Sequence, residues 1–202
     1  HAGERALNEV NPYGFQHNIQ SVRVVERLEK GGEGLNLTWE AVDGILHHKS
    51  SGNPFTLEGQ IVRLSDKIAY LNHDIDDAIR GGILSEDDIP ERFRNVLGQT
   101  ARKRLDTMIH DVITNSMDMP KIRMSKEVEE AMKDLRMFMF EHVYLNPLAK
   151  SEEEKAIDMI KNLYWFYTEH LEEIPQEYRS MQGECGVNAE QMACDYIAGM
   201  TD

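Results

Sequence analysis

Apolar residues recur at spacings of three and four along most of this chain, and this periodicity restricts the fold more than any other feature of the sequence. It is clearest in segment 56–80, whose apolar residues fall within about 80° when projected at ~100° per residue; they are Ile61, Leu64, Ile68, Leu71, Ile75 and Ile79. Stretches that alternate apolar and polar residues over the length of a strand are almost missing, and only 6 Pro and 14 Gly interrupt 202 residues. We therefore predict an all-α protein, a bundle of roughly eight to ten helices.

Capping and breaking residues predict where the helices begin and end. Thr56 and Ser125 are predicted helix starts, and Ser151 with Glu154 has the spacing of a capping box. The predicted helices cover about 1–10, 17–30, 38–48, 56–80, a short one starting near Pro90, 96–115, 125–145, 151–174 and 188–200. Since the sequence contains no repeat or low-complexity linker, we expect residues 1–202 to form a single domain.

Charge and hydropathy exclude several classes of protein. The chain has 36 Asp and Glu against 22 Lys and Arg, a net charge of −14, which argues against general binding to nucleic acid. No run approaches the ~18 consecutive apolar residues of a membrane span. The amino end lacks a signal-peptide pattern, and Cys185 and Cys194 fit neither a disulfide framework nor a zinc site. These features predict a cytoplasmic protein with no membrane partner.

The polar face of helix 56–80 is the first candidate site. Opposite the apolar stripe lie Asp66, Tyr70, His73, Asp74 and Asp77, with Lys67 at the edge. An ordinary solvated helix face would also be polar. However, three of these residues are Asp, a poorer helix former than the Glu that a surface helix favours. A short carboxylate is more easily understood if it binds a metal ion or a hydroxyl group.

The amino-terminal residues form the second candidate site. Glu4 follows His1 by three residues, so a helix would place both on one face. A carboxylate beside an imidazole fixes its tautomer and suits it to proton transfer near neutral pH. His17 is predicted to open the next helix. Taken alone, each histidine is more typical of a surface or capping residue than of a catalytic one, and that alternative stays open.

The chain also resembles a known family in a series of ordered blocks. These are HAGERALN at 1–8, GFQHNIQS at 14–21, GLNLT at 34–38, DKIAY at 66–70, HDIDD at 73–77 and DYIAGMTD at 195–202. In this order they resemble the bacterial deoxyguanosinetriphosphate triphosphohydrolase-like proteins of the HD-domain superfamily. The resemblance implies an HD-domain-like helical bundle and a metal-dependent hydrolase. Such an enzyme cleaves a deoxynucleoside triphosphate (dNTP), dGTP or another, into the deoxynucleoside and inorganic triphosphate.

The resemblance also implies roles for single residues. Asp66 matches the last ligand of the family's divalent metal, Mg²⁺, Mn²⁺ or a similar ion. Lys67 matches a lysine that contacts the triphosphate, Tyr70 an aromatic residue packed on the sugar, and Asp74 a carboxylate that binds the sugar 3′-hydroxyl. In the catalytic set, His1 matches a histidine proposed to act at the scissile α-phosphate, Glu4 its supporting carboxylate, and His17 a further active-site histidine.

The family's other metal ligands would precede His1, so we expect a carboxy-terminal portion with an incomplete metal site. A chain of this kind is expected to bind metal weakly or not at all and to be inactive by itself. The alternatives are a catalytically inactive module that binds or senses dNTPs, and a different HD-type phosphohydrolase acting on a cyclic or monophosphate nucleotide. Family members commonly form homo-oligomers, and we expect the same here.

Overall fold

The computed structural model describes residues 2–145, 147–180 and 187–200, with side chains outside 147–152, and this part of the chain is helical without a strand. Its α-helices are α1 (Ala2–Val10), α2 (His17–Arg23), α3 (Trp39–Leu46), α4 (Leu57–Arg80), α5 (Glu91–Leu97), α6 (Ala101–Ser116), α7 (Lys126–Met139), α8 (Pro147–Glu169), α9 (Gln176–Arg179) and α10 (Ala189–Ala198). The predicted all-α fold is confirmed. None of the described helices is both long and apolar enough to cross a membrane.

Side-chain caps account for several helix starts. Thr56 accepts a hydrogen bond from the Gly59 amide at 3.0 Å, and Ser125 accepts one from the Val128 amide at 3.4 Å. Both starts agree with the predictions. Asn188 caps α10 in the same way, through the Gln191 amide at 2.9 Å. Each cap provides an acceptor for an amide that the first turn of a helix leaves unpaired.

Three predicted boundaries are wrong. The helix expected over 96–115 is divided, because Gly98 has a φ of 123° that a helix cannot contain, and α6 begins after the Thr100 cap. The helix expected from Ser151 already begins at Pro147, so the proposed capping box lies inside α8. The helix expected over 17–30 is α-helical only to Arg23 and continues as a π-helix over Val24–Leu28.

The contacts divide the chain into two compact units, residues 47–150 and residues 1–46 with 151–202. In unit 47–150, α4, α5, α6 and α7 enclose a core whose buried members include Ile68, Leu71, Ile75, Phe93, Leu97, Met108, Leu135 and Met139. Ile61, which the periodicity assigned to the core stripe, is 47% exposed. The stripe of α4 is therefore buried only after its first turns.

The other unit has its own core. Tyr164 of α8 and Met192, Ala193 and Cys194 of α10 are buried in it together with Leu7 and Ile174. The predicted single domain over 1–202 stays a prediction.

Candidate functional site

One face of α4 carries polar residues at intervals of four, three and four. They are Arg63, Lys67, Tyr70 and Asp74, which lie within about 60° of one another at ~100° per residue. Asp66 precedes Lys67 on an adjoining part of the same helix. The core stripe of α4 is centred about 110° away around the helix, so this polar stripe flanks the face that packs in the core. The helix thus presents two cations, an aromatic ring and a carboxylate in that order.

Three cations gather at the amino-terminal part of this stripe. The pKa of Lys67 is lowered, chiefly by burial and then by the charges of Arg63 and Arg136, while Glu129 acts in the opposite direction. The two guanidinium groups are tied to one loop residue: Arg63 donates to the Ser50 carbonyl and Arg136 to the Ser50 hydroxyl, both at 3.1 Å. Such a group of like charges is unfavourable unless an anion joins it.

One donor in this cluster is left without an acceptor by the described residues. The Arg63 Nε is buried and has no acceptor within the described part of the chain. Arginine and lysine side chains offer only donors, and phosphate oxygens are among the acceptors that they bind most strongly. The cluster of Arg63, Lys67 and Arg136 is therefore suited to a polyphosphate.

The carboxyl-terminal part of the stripe contains a second polar contact. Asp74 accepts a hydrogen bond from the hydroxyl of Tyr144. Burial, followed by this bond and the charge of Asp74, raises the pKa of Tyr144. Tyr144 ends a π-helical segment, Phe140–Tyr144, that directly continues α7. The Phe140 ring meets the Tyr144 ring edge-on at 6.1 Å between centroids.

α4 and α7 therefore lie side by side and run in the same direction. Arg136 lies beside Lys67 at one end, and Tyr144 meets Asp74 at the other. Seven residues separate Lys67 from Asp74, which is about 10 Å of helix. We call this arrangement the α4–α7 groove, defined by Arg63, Lys67, Tyr70, Asp74, Arg136 and Tyr144.

The second candidate site lies in the other unit. The carboxylate of Glu4, on α1, accepts a hydrogen bond from the backbone amide of His17 at 3.0 Å and lies 3.0 Å from the His17 Nδ1. Burial by itself raises the pKa of Glu4, but the amide and ring of His17 outweigh it, and the net pKa is lowered. An ionised carboxylate only accepts hydrogen bonds, so this contact assigns the ring proton to Nδ1. The Glu4 side chain also binds the first turn of α2, where amides are unpaired.

The predicted site residues thus fall into two groups. The structure brings Lys67, Tyr70 and Asp74 onto one stripe of α4, and it brings Glu4 and His17 into direct contact. His1 lies outside the described residues. All the assigned roles stay predictions.

The metal prediction concerns Asp66. Within residues 2–145, 147–180 and 187–200, no three His, Cys, Asp or Glu side chains converge in a way that could hold a metal ion. A transition metal needs several nitrogen or oxygen ligands, so the described donors do not fit a metal site by themselves.

Sequence reasoning missed Arg63, Arg136 and Tyr144. Arg63 had a visible signal, because it lies four residues before Lys67 on the same helix face. Arg136, Phe140 and Tyr144 are also spaced by four, but their nearness to α4 depends on how α7 packs against it.

Comparisons with known proteins show what the chain is similar to. A family model described as a phosphohydrolase-associated domain matches residues 122–202. Proteins named deoxyguanosinetriphosphate triphosphohydrolase-like protein match the whole chain. They are 50% identical over 202 residues in Caldanaerobacter subterraneus subsp. tengcongensis, 44% over 213 residues in Clostridium tetani and 44% over 211 residues in Clostridium perfringens.

The chain spans 59%, 60% and 61% of the lengths of these three relatives. It corresponds to their carboxy-terminal part. The matched region includes all the ordered blocks, at 1–8, 14–21, 34–38, 66–70, 73–77 and 195–202. Along its whole length, the chain is thus similar to the carboxy-terminal part of proteins named deoxyguanosinetriphosphate triphosphohydrolase-like protein.

Proposed function

We propose that the protein containing this chain hydrolyses a deoxynucleoside triphosphate, dGTP or another dNTP, to the deoxynucleoside and inorganic triphosphate. The observation that carries the proposal is the α4–α7 groove, with three cations at one end and the Asp74–Tyr144 pair at the other. The names of the relatives point to the same reaction class.

The charge of the groove supports a triphosphate. The chain has a net charge of −14, yet Arg63, Lys67 and Arg136 are gathered in one place. Repulsion between them is relieved by a multiply charged anion, which also offers acceptors to the donors of Arg63 and Lys67. A single phosphate would leave part of the positive charge of the cluster uncompensated.

The other end of the groove supports a sugar. Tyr70 is 52% exposed, so its ring is accessible for packing against a ligand. Asp74 accepts a hydrogen bond from Tyr144, and a sugar hydroxyl is a donor of the same kind. In this proposal the Asp74 carboxylate, about 10 Å along the helix from Lys67, binds the 3′-hydroxyl while the cations bind phosphates.

The Glu4–His17 pair supports proton transfer. Forming a nucleoside and triphosphate requires water to attack the α-phosphorus, the bond between that phosphorus and the 5′-oxygen to break, and the 5′-oxygen to gain a proton. An imidazole whose Nδ1–H is held by a carboxylate is suited to take the proton that the attacking water loses onto Nε2 and to donate it to the 5′-oxygen. By resemblance, His1 acts at the same phosphate, and Asp66 contributes to a divalent metal site. The metal dependence is part of the proposal.

The direct test uses the full-length protein. It is incubated with each dNTP and Mg²⁺ or Mn²⁺, with and without EDTA, and the products are separated by ion-exchange chromatography. We expect equal amounts of deoxynucleoside and triphosphate, and no product with EDTA. Absence of both products under all conditions would contradict the proposal.

Two matched comparisons separate the alternatives. Binding of dNTP without turnover, measured by calorimetry on the same protein, would support the nucleotide-binding module instead. Release of phosphate from a monophosphate or a cyclic nucleotide would support the other HD-type phosphohydrolase.

Asp74→Asn is expected to weaken binding of dNTP more than binding of the analogue that lacks the 3′-hydroxyl.

We further expect a cytoplasmic homo-oligomer. Light scattering of the full-length protein measures the oligomeric state directly.

A further inference from the structure

A buried carboxylate joins α10 to α2 within unit 1–46 and 151–202. Asp195 is 3% exposed and accepts hydrogen bonds from three side chains. Arg23 donates from Nε at 2.8 Å to Oδ1 and from Nη2 at 2.7 Å to Oδ2, while Gln20 and Gln191 each donate to Oδ1 at 2.9 Å. The proposed function assigns no role to this cluster.

The hydrogen bonds of Asp195 fix the geometry between α10 and α2 as well as balancing the buried charge. Burying a carboxylate without donors is very unfavourable, and here a bidentate guanidinium and two amides satisfy it. An apolar contact between the two helices would tolerate sliding and rotation. A bidentate ion pair instead favours one position and one rotation of α2.

α2 also carries His17, its first residue. Gln20 and Arg23 follow His17 by three and six residues, so the contacts with Asp195 and with Glu4 lie within two turns of one short helix. A helix of seven residues has little stability of its own, and its orientation depends on its tertiary contacts. Asn18 adds one such contact, donating to the Leu46 carbonyl at 2.8 Å.

We propose that Asp195 is a positioning residue: by holding Gln20 and Arg23 it fixes the rotation of α2 and so keeps the His17 imidazole on the Glu4 carboxylate. This inference rests on the proposed function, in which the Glu4–His17 pair transfers a proton. Asp195 acts through α2 and does not itself touch the substrate.

The first test does not depend on enzyme activity. In Asp195→Asn, an amide replaces the carboxylate partner of Arg23, and the bidentate ion pair that holds the rotation of α2 is lost. We expect the pKa of Glu4, followed by carboxyl carbon NMR in the 202-residue chain, to rise toward its ordinary value. We also expect the His17 amide, which donates to Glu4 in the native chain, to exchange at least about tenfold faster. Arg23→Lys should act in the same direction, since it keeps the charge but loses the bidentate geometry.

Met192→Ala is the matched control. It opens a cavity in the same unit, on the same helix, without removing a member of the carboxylate cluster. This variant should lower the melting temperature and leave both the pKa of Glu4 and the exchange rate of the His17 amide unchanged. The double variant Asp195→Asn with Arg23→Gln pairs two neutral amides and should recover part of the His17 protection.

The second test uses the full-length protein. Asp195→Asn should lower kcat on the order of 10- to 100-fold with little change in KM, because a misplaced proton donor slows the chemical step more than binding. If a folded Asp195→Asn protein keeps its Glu4 pKa, its His17 amide protection and its kcat, the inference is overturned. It is also overturned if Met192→Ala changes the Glu4 pKa and the His17 amide exchange as much as Asp195→Asn does. If these signals respond as expected while the native full-length protein releases no triphosphate, the positioning role stands and the proposed function fails.

Discussion

Lys67 is an ammonium group placed against two guanidinium groups and partly withdrawn from water. Burial and these two charges both lower its pKa, so the native state disfavours the very charge that a phosphate would bind. Such a conflict is common at functional sites, because an anion that arrives there relieves it. The resemblance assigned Lys67 to a triphosphate, and the structure adds the two arginines that make the assignment physically reasonable.

Replacing this lysine should separate stability from binding. We expect Lys67→Met to raise the melting temperature, since it removes a repelled charge while keeping an apolar stem of similar length. Binding of inorganic tripolyphosphate, measured by calorimetry, should weaken about 10- to 100-fold, because a hydrogen bond to a charged group contributes about 1.5–3 kcal/mol. Lys133→Met, at an exposed position of α7, is the control and should leave affinity unchanged.

The lowered pKa of Glu4 predicts how stability depends on pH. Below its ordinary value of 4.5, the unfolded chain binds a proton at this carboxyl more readily than the native chain does. The stabilisation is therefore fully present above 4.5 and is lost as the pH falls through the lowered pKa. Glu4→Gln should make the unfolding free energy, measured in urea between about pH 6 and pH 3, fall less steeply on acidification. An identical slope would contradict the Glu4–His17 contact.

At the scale of elements, α4 and α7 supply the residues that define the α4–α7 groove. α4 is a helix of 24 residues with a side-chain cap, long enough to hold a core stripe and a polar stripe together. α7 continues as the π-helical segment Phe140–Tyr144. Since a π-turn contains an extra residue, it rotates the residues at its carboxyl end by about 100° relative to a continuous α-helix. The position of Tyr144 against Asp74 depends on that turn.

The side chain of Thr56 caps the amino end of α4. Thr56→Ala removes the acceptor of the Gly59 amide and should lower the unfolding free energy by about 1 kcal/mol in urea denaturation. Thr56→Ser keeps an acceptor at the same place and should retain most of the stability. Equal losses in both variants would show that the hydroxyl does not act as a cap.

At the scale of the whole molecule, the proposed functions are divided between two units. The α4–α7 groove belongs to residues 47–150, whereas Glu4, His17 and Asp195 belong to the unit of residues 1–46 and 151–202. Each unit has its own buried core. A negative net charge and a local group of cations coexist because charge is distributed unevenly over the surface.

The core of unit 47–150 should be destabilised as a whole when one of its buried side chains is truncated. Leu135 is fully buried, so Leu135→Ala should lower the unfolding free energy by about 2–5 kcal/mol. Native-state hydrogen exchange should show lost protection across α4, α5, α6 and α7, because buried contacts join these helices. Lys133→Ala, on the exposed face of α7, should change neither quantity by more than about 0.5 kcal/mol.

The sequence by itself determined the fold class, the length of α4 and the polar stripe that contains Lys67, Tyr70 and Asp74. These follow from local rules, since helical periodicity and caps such as Thr56 and Ser125 act over a few residues. The ordered blocks pointed in addition to the family. Only the tertiary structure decided that Arg136 and Tyr144 join the stripe of α4, that Glu4 holds His17 and that Asp195 holds Arg23. These contacts join residues 13 to 172 positions apart, and helix packing, which no local pattern encodes, brings them together.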